Sequence, residues 1–406
     1  MSTVYDAIVV GARCGGAPTA MLLARKGYRV LLVDRASFPS DTVSTLAIHA
    51  PGVARLKRWG LLDAVRAGGC PELSTYTFDF GPIVISGTPH PAEDVSYAIA
   101  PRRTVLDKVL VDAAAQAGAE VRERFTFEDV VVEEGAVVGI CGRSEVGTPV
   151  VERARVVIGA DGWNSNVARA VGAEAYNRKP VLENAFYTFW SDLPVDGFLT
   201  MIRGDRGVAA IPTDDGLTLV LVGCPFDQAS SFRADVEGNY MRAVERAPEF
   251  ADRLRAATRE APFAGGGVPN FFRVPFGPGW ALVGDAAYTK DPVTAQGMTD
   301  AFQSAEWCAE ALDETFDRGR AYDEAMGDYQ RRRDAHAMPI YEFTTEMAKL
   351  EPPTPEMQQL LGAVQGNQAA MDAFASVIAG TMSPVDFFDP AHIDAIMGKA
   401  TSYAPG

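Results

Sequence analysis

The sequence predicts a mixed α/β (α+β) fold in which an antiparallel sheet is inserted into a dinucleotide-binding type of domain and a helical tail follows. Three observations carry this prediction. An apolar strand, a glycine-rich turn and an alanine-rich helix follow one another at the N-terminus; residues 176–274 are rich in aromatic and β-branched residues; and the chain after Ala321 has a helical pattern. The order of these segments indicates two domains, the second inserted into the first.

The length and charge of the chain restrict the classes of partner. Its 406 residues, 47% of them apolar, are enough to bury a sizeable core. Apolar stretches such as LTLVLVG are far shorter than the roughly 18 residues of a membrane span, and the net charge of -16 disfavours a nucleic-acid partner. The first apolar run begins at Tyr5 without a basic leader, so we expect a cytoplasmic protein that binds a small molecule.

The cysteines are scattered and odd in number. They are Cys14, Cys70, Cys141, Cys224 and Cys308. None of them forms a CxxC pair or a Cys/His cluster. The sequence therefore predicts neither a disulfide framework nor a metal site.

The N-terminal unit has the pattern of a Rossmann-like βαβ motif. YDAIVVG predicts a buried strand, GGAPTAMLLARKG a helix, and YRVLLVDR a second strand that ends at an acid. A glycine turn lets backbone amides approach a pyrophosphate, and an acid about 20 residues further on binds ribose hydroxyls. The middle glycine of the GxGxxG fingerprint is replaced by Arg13, whose guanidinium either extends over the phosphates or, as we favour, points to solvent. The predicted dinucleotide contacts are Gly11, Arg13, Gly15, Gly16, Asp34 and Arg35.

The next segments continue the α/β pattern. PRRTVLDKVLVDAAAQAGAEV predicts a helix that Gly118 closes. FTFEDVVVEEGAVVGICG predicts a hairpin with its turn at Glu134 and Gly135. ARVVIGADG then predicts a buried strand that ends in a tight turn around Asp161 and Gly162. That turn places a second acid at the carboxyl edge of the sheet, where ligands of α/β proteins bind.

The middle of the chain departs from this pattern. Its aromatic and β-branched runs predict an antiparallel sheet, with a DDG turn at Asp214–Gly216 between two strands. The α/β pattern resumes at GWALVGDAA. In the helical tail we expect Pro339 and the stretch Pro352–Pro355 to break the helix into pieces.

The segment GDAAYTKDPVTAQGMTDAF concentrates residues that specify backbone conformation just before a helix. Gly284 permits a tight turn, Asp285 can accept hydrogen bonds from a polyol, and Pro292 stiffens the loop. Gln296 and Gly297 begin a helix whose free amides stabilise negative charge. A flavin needs this combination, because its ribityl chain must be held and its reduced ring is negative on the pyrimidine side. The structural alternative is a helix cap preceded by a loop.

Three segments together resemble a known family. GARCGG with Asp34, GADGWNSNVAR and GDAAYTKDPVTAQGMTDAF resemble the nucleotide, DG and GD motifs of the single-component (group A type) FAD-dependent monooxygenases, the para-hydroxybenzoate hydroxylase-like superfamily. The similarity extends to about residue 345, and the R..LD spacing at Arg103, Leu106 and Asp107 matches a further FAD-contacting helix. Tyr288 in place of the usual histidine, and the AQG and Arg13 substitutions, indicate a divergent branch.

The resemblance implies how the domains and the FAD contacts are arranged. Asp285 would contact the ribityl chain, amides from Gln296 to Met298 would face the flavin pyrimidine, Asp161 would serve the DG turn, and Arg103 would lie near the cofactor. The implied division is an FAD-binding domain over 1–80, 101–175 and 275–345, a substrate domain over 81–100 and 176–274, and a helical C-terminal tail over 346–406.

The resemblance also implies a reaction. NADH or NADPH would bind transiently and reduce the flavin, since the chain has no separate nicotinamide fingerprint. Oxygen would then add to give a C4a-(hydro)peroxyflavin, which passes one oxygen atom to a small aromatic or polyketide-like substrate. The cofactor supplies the chemistry, while the protein binds, orients and excludes water.

Candidates for side chains that assist the substrate are few. His49 is the one histidine that lies close in sequence to where the family approaches the flavin, although a structural role fits it as well. Tyr288 can hydrogen-bond substrate or flavin, or simply pack in the loop. Phe186, Phe189 and Trp190 either line the pocket or form the core of the sheet.

Other functions share such a scaffold. A halogenase is disfavoured because the WxWxIP stretch of that branch is missing. A reductase of carbon–carbon double bonds like the geranylgeranyl reductases, a Baeyer-Villiger or epoxidising enzyme, and a non-catalytic flavin-binding protein remain alternatives. The tail would either cap the substrate pocket or build the interface of a homodimer.

Overall fold

A computed structural model of the chain describes residues 4–400, which contain 19 strands and 14 α-helices. The strands are β1 (Val4–Val10), β2 (Val30–Val33), β3 (Tyr76–Asp79), β4 (Val84–Gly87), β5 (Glu120–Arg122), β6 (Thr126–Glu133), β7 (Ala136–Arg143), β8 (Pro149–Gly159), β9 (Ala175–Lys179), β10 (Glu183–Ser191), β11 (Phe198–Arg203), β12 (Arg206–Pro212), β13 (Thr218–Pro225), β14 (Thr258–Arg259), β15 (Ala264–Gly266), β16 (Asn270–Arg273), β17 (Phe276–Gly277), β18 (Trp280–Leu282) and β19 (Tyr288–Thr289). The helices are α1 (Gly16–Arg25), α2 (Ala50–Arg58), α3 (Leu62–Arg66), α4 (Arg103–Gln116), α5 (Asn166–Ala170), α6 (Ala229–Ala234), α7 (Val236–Val244), α8 (Pro248–Ala256), α9 (Gly297–Phe316), α10 (Tyr322–Met347), α11 (Pro355–Val364), α12 (Gln368–Ala379), α13 (Pro384–Phe387) and α14 (Pro390–Ala400).

The first sheet carries the predicted Rossmann-like unit. Its strands lie in the order β17-β18-β8-β1-β2-β5, and the β6–β7 hairpin joins it through β8. The pairs from β18 to β5 are parallel, whereas β17 and the hairpin are antiparallel, so the sheet is mixed as expected. The apolar residues of β1 after Val4 are buried because the strand lies in the middle of the sheet between layers on both faces.

The second sheet is the predicted antiparallel insertion. Its order is β14-β10-β13-β12-β11-β3-β4, and its pairs are antiparallel except for β11 with β3. Residues alternate between its two faces. The outer face packs on α6–α8, and the inner face looks toward the first sheet and the C-terminal helices. Since β3 pairs in this sheet, the chain crosses into it before residue 81, earlier than the expected boundary.

The predicted turns have backbone conformations that explain their residues. Glu134 and Gly135, between β6 and β7, both have positive φ, at 49° and 81°, as a two-residue hairpin of this type requires. Asp215 and Gly216 also have positive φ between β12 and β13. A small third sheet of β9, β16 and β19 was not expected from the sequence.

The C-terminal region corrects one prediction. Helix α10 runs unbroken through Pro339, so the expected break there is wrong. A proline removes a single backbone donor, and the helix is held on both sides of it by the buried side chains of Met326, Ala337 and Tyr341. The break at Pro352–Pro355 is present, and α11 begins at its last proline.

Helices α11 to α14 pack within the chain against the inner face of the second sheet. The ring of Phe374, in α12, meets that of Phe78, in β3, edge to face at a centroid distance of 5.2 Å. The tail thus packs apolar residues against the second sheet within the chain. No helix between residues 4 and 400 combines the length and hydropathy needed to cross a bilayer.

Candidate functional site

The nucleotide turn between β1 and α1 requires its first and third glycines. Gly11 has a φ of +103°, and a Cβ there would stand 2.4 Å from the carbonyl oxygen of Ala160, just before the DG turn. A Cβ on Gly16 would stand 1.7 Å from the Gly11 carbonyl oxygen. The N–H groups of Arg13, Cys14 and Gly15 donate to no other residue in the described range. The turn therefore presents open amides at a helix N-terminus, which suits a pyrophosphate.

The acids of the first motifs have defined partners. Asp34 accepts hydrogen bonds from the N–H groups of Ala12 (2.7 Å) and Ala36 (2.8 Å), which fixes its carboxylate beside the nucleotide turn. Arg35, next to it, is exposed. Asp161 accepts from the N–H of Asn166 at 2.7 Å and so caps α5, which keeps the DG turn in shape.

Arg13 does not point to solvent, so the favoured interpretation of this side chain was wrong. Its guanidinium pairs with Asp107 and donates to the hydroxyl of Ser40 at 3.0 Å. Asp107 is buried at the same time against Arg103, whose Nη2 donates to both carboxylate oxygens at 2.9 and 3.0 Å. Two guanidinium groups share one carboxylate, so the cluster keeps a net positive charge beside the amides of the turn. Such a charge favours a bound phosphate.

The GD turn meets the nucleotide turn directly. Gly284 has a φ of +57°, and a Cβ there would lie 3.7 Å from the Cα of Gly15. The Gly284 N–H donates to Ser304 Oγ at 2.9 Å. These contacts bring the first and last motifs of the chain into one site.

Asp285 lies at this junction with its carboxylate unpaired. No other residue between 4 and 400 donates a hydrogen bond to that carboxylate. Burial raises the pKa of Asp285 to about 6; nearby Asp300 adds to the rise, and Lys290 and Arg103 oppose it. A half-buried acceptor that no described residue partners is what a ribityl hydroxyl would satisfy.

The loop after the GD turn ends in open amides. Pro292–Thr294 forms a 3₁₀ turn, and Ala295 has a φ of +51° before α9 begins. The N–H groups of Gln296, Gly297 and Met298 donate to no other described residue, while the side-chain amide of Gln296 donates to the Ile378 carbonyl at 2.8 Å. The last helical turn of α12 therefore holds this loop. The open amides fit the negative side of a reduced flavin ring.

A narrow cleft lies between this loop and the inner face of the second sheet. Its floor is formed by residues of four strands, β10 to β13, whose side chains point to alternate faces of the pleated sheet. The lining residues are Thr45, Glu183, Phe198, Thr200, Gly207, Val208, Ala209, Ile211, Leu221, Pro292, Val293 and Ala295. The cleft is small, largely apolar and next to the proposed flavin loop, as a substrate site would be.

Glu183, which the sequence analysis did not single out, is the acid of this cleft. It is 2% exposed, and no residue between 4 and 400 forms a hydrogen bond with its Oε2. Burial, with a smaller contribution from Asp291, raises the pKa of Glu183 to about 8. The sequence feature that could have identified Glu183 is an acid at the start of the apolar run ENAFYTFWS.

His49 lies beneath the loop rather than in the cleft. Its Nε2 donates to the carbonyl oxygen of Thr294 at 3.0 Å, so its Nδ1 accepts from the hydroxyl of Tyr76 at 2.7 Å. Burial lowers the pKa of His49 to about 4, and the ring is neutral. This geometry favours the structural role over the catalytic one.

Tyr288 also lies away from the cleft. It packs on Phe272 at a centroid distance of 4.5 Å, and its buried hydroxyl has no partner among the described residues. The ring borders a separate small cavity between α9 and α10, together with His336 and Asp300. Tyr288 is therefore placed for packing in the loop, not for contact with a substrate in the cleft.

The three aromatic side chains of β10 do not line the cleft. Phe186 and Trp190 face α6–α8 on the outer side of the sheet. Phe189 faces inward but is covered by the guanidinium of Arg102 at 4.2 Å. The aromatic side chain that does line the cleft is Phe198, in β11, which sequence reasoning missed.

Comparison with known proteins finds relatives in sequence and in structure. The chain is 27% identical over 312 residues to a digeranylgeranylglycerophospholipid reductase of Methanocella arvoryzae, which covers 75% of this chain and 76% of the relative. The structure of the myxobacterial chondrochloren halogenase CndH superposes with a TM-score of 0.79 and 25% identity, over 99% of this chain and 98% of that one. PqsL, a probable FAD-dependent monooxygenase from Pseudomonas aeruginosa, shares the fold with a TM-score of 0.71 and 21% identity, over 91% of this chain and 98% of that one.

The family model described as FAD binding domain matches residues 4–344, which include the nucleotide turn, the R..LD helix, the DG turn and the GD loop. The open amides, the shared positive cluster and the unpaired carboxylate of Asp285 fit FAD on geometric grounds. The chain therefore belongs to the FAD binding domain family and is an FAD-dependent oxidoreductase.

Proposed function

We propose that the protein is a monooxygenase that inserts one oxygen atom of O2 into a small, largely apolar organic molecule, with NADH or NADPH as the electron donor. The observation that carries the proposal is the position of the cleft. Its roof is formed by Pro292, Val293 and Ala295, the same loop whose following amides fit a flavin ring. A substrate in the cleft would lie against that ring.

The protein's part in such a reaction is to bind, orient and exclude water. The Arg13–Asp107–Arg103 cluster and the nucleotide turn would hold the pyrophosphate, and Asp285 would accept from the ribityl chain. FAD, when bound, supplies the electron transfer and the activation of oxygen. Isoleucine, leucine and phenylalanine side chains of the sheet would keep the substrate dry.

A reductase of carbon–carbon double bonds is the second candidate. The similarity to digeranylgeranylglycerophospholipid reductases over three quarters of the chain supports it. So does Glu183: reduction of a double bond adds a hydride to one carbon and a proton to the other, and a protonated acid in the cleft could supply that proton.

The two candidates differ in the fate of oxygen. The purified FAD-loaded protein would be assayed for NADH and NADPH oxidation with a panel of aromatic and polyketide-like compounds, in air and without oxygen. Labelled oxygen from ¹⁸O2 in the product supports the monooxygenase. A product with two added hydrogens, formed without oxygen, supports the reductase.

Two further outcomes complete the assay. Chloride and bromide in the same mixtures test for halogenation, which the absence of a WxWxIP stretch disfavours. Failure to oxidise either nicotinamide with any compound would favour a flavin-binding protein without turnover. Either result would overturn the proposal.

A further inference from the structure

Glu183 lies in the wall of the cleft, where the neighbouring strands leave room for its side chain. It begins β10 and shares the inner face with Tyr187 and Phe189, which lie four and six residues further along the strand. Its carboxyl lies against Gly223 of the neighbouring strand: a Cβ on Gly223 would stand only 1.8 Å from Oε1, so any side chain there would displace the carboxyl.

The space beside this carboxyl is kept open by small residues. Gly223 pairs with Gly207 on β12, and the nearest atom to a Cβ on Gly207 would be Leu350 Cδ2 at 3.9 Å. Ala209 follows on the same face of β12. Next to the acid, the floor of the cleft therefore consists of small residues.

Among the described residues, the charged group that acts on Glu183 is Asp291, a second carboxylate. The nearby thiol of Cys224 lies on the outer face of the sheet, where it donates to the carbonyl oxygen of Asn184. Asp291 is itself buried and is bound by the side-chain amide of Asn270 and by the backbone N–H of Glu183, at 3.0 Å. A carboxylate next to a second carboxylate, without a cation, is unfavourable in a buried site.

We propose that Glu183 is the polar anchor of the cleft: as a neutral carboxylic acid it donates a hydrogen bond to a carbonyl or hydroxyl oxygen of an otherwise apolar substrate. Glu183 lines the cleft, and no residue in the described range forms a hydrogen bond with its buried Oε2, which costs free energy until a ligand satisfies the carboxyl. The inference rests on the assignment of the cleft as the substrate site. It narrows the substrate class to neutral molecules with one oxygen acceptor and excludes carboxylates, which would add a negative charge close to Asp291.

Three matched probes test the anchor without turnover: methyl naphthyl ketone, ethylnaphthalene and naphthoate. Their affinities for the oxidised, FAD-loaded protein would be measured at neutral pH from the perturbation of the flavin absorbance. We expect the ketone to bind about tenfold more tightly than the hydrocarbon or the carboxylate, because it alone satisfies the buried donor. Failure of the monooxygenase proposal would show in the oxygen-labelling assay and would leave these affinities unchanged.

Variants separate a hydrogen bond from general damage to the sheet. Glu183→Gln keeps a donor of the same shape and should keep the preference for the ketone. Glu183→Leu should reduce the ratio of ketone to hydrocarbon affinity to about one. Asn184→Leu is the control, since its side chain is also buried with an unpartnered Nδ2 but lies on the opposite face of β10. It should leave the ratio as in the unaltered protein.

Several results would overturn the proposal. They are equal binding of all three probes, tighter binding of naphthoate, no binding of any probe, and an unchanged ratio in Glu183→Leu. If Glu183→Leu fails to fold, loss of the ketone preference in Glu183→Gln would also overturn the proposal. The infrared carbonyl band of a protonated acid provides a second readout: it should be present at neutral pH and absent from Glu183→Gln.

Discussion

The imidazole of His49 donates from Nε2 to the carbonyl oxygen of Thr294 at 3.0 Å and so ties the start of α2 to the loop that roofs the cleft. The other ring nitrogen accepts from Tyr76, in the second sheet. One neutral side chain thus connects the flavin loop to the substrate sheet. Protonation of His49 would remove its acceptor and break the contact with Tyr76.

This contact makes stability depend on pH. The pKa of His49 is about 4 in the folded protein and close to its ordinary value of about 6.5 when unfolded. A lowered folded pKa means that the stabilising contribution is fully present above about pH 6.5 and is lost as the pH falls toward 4. We expect the Tm of the FAD-loaded protein to fall between pH 7 and about 5, and to fall less steeply in His49→Gln. Equal slopes in thermal unfolding would show that His49 does not cause the dependence.

Ionisation of Glu183 should make the stability depend on pH in the opposite direction, with a loss as the pH rises. Its pKa of about 8 in the folded protein lies above the ordinary value, so its contribution is fully present below about pH 4.5 and is lost as the pH rises through 8. From pH 6 to about pH 9 the unaltered protein should lose about 2 kcal/mol relative to Glu183→Gln. Urea unfolding at the two pH values measures the difference. A constant gap between the two proteins would contradict a buried neutral acid.

The parts of the site that could be predicted from sequence are those formed by residues close together in the chain. The strand, turn and helix around Gly11 and Gly16, and the strand and turn around Gly284, lie within single short segments. Their glycines are needed because another backbone segment lies close to each of them. The position of the glycines in the sequence therefore predicts these turns.

The cleft could not be predicted in the same way, because it is assembled from residues far apart in the chain. Glu183, Phe198 and Leu221 come together only through the register of the second sheet. The partner of Arg13 is likewise 94 residues away, so nothing near Arg13 indicated that its charge is paired. An acid within an apolar strand was the one local sign of the anchor.

Asp285 should contribute strongly to FAD affinity. Asp285→Asn keeps the shape but replaces a charged acceptor, so we expect the Kd for FAD to rise about tenfold to a hundredfold. Equilibrium dialysis of the apoprotein against FAD measures this. Asp215→Asn is a matched control, since Asp215 is exposed in a turn with positive φ, which asparagine tolerates. An unchanged Kd in Asp285→Asn would argue against a ribityl contact.

Gly16 should be more sensitive to a single methyl group than a glycine in an open position. In Gly16→Ala the added Cβ would stand 1.7 Å from the Gly11 carbonyl oxygen, and that backbone atom cannot move without opening the nucleotide turn. We expect loss of FAD binding and a Tm lower by several degrees, because overpacking of this kind costs roughly 1–3 kcal/mol. In Gly362→Ala, within α11, the added Cβ meets nothing within 4 Å, and alanine should be neutral or slightly stabilising. If the two variants bound FAD equally and melted together, the tight turn would not be the element that holds the pyrophosphate.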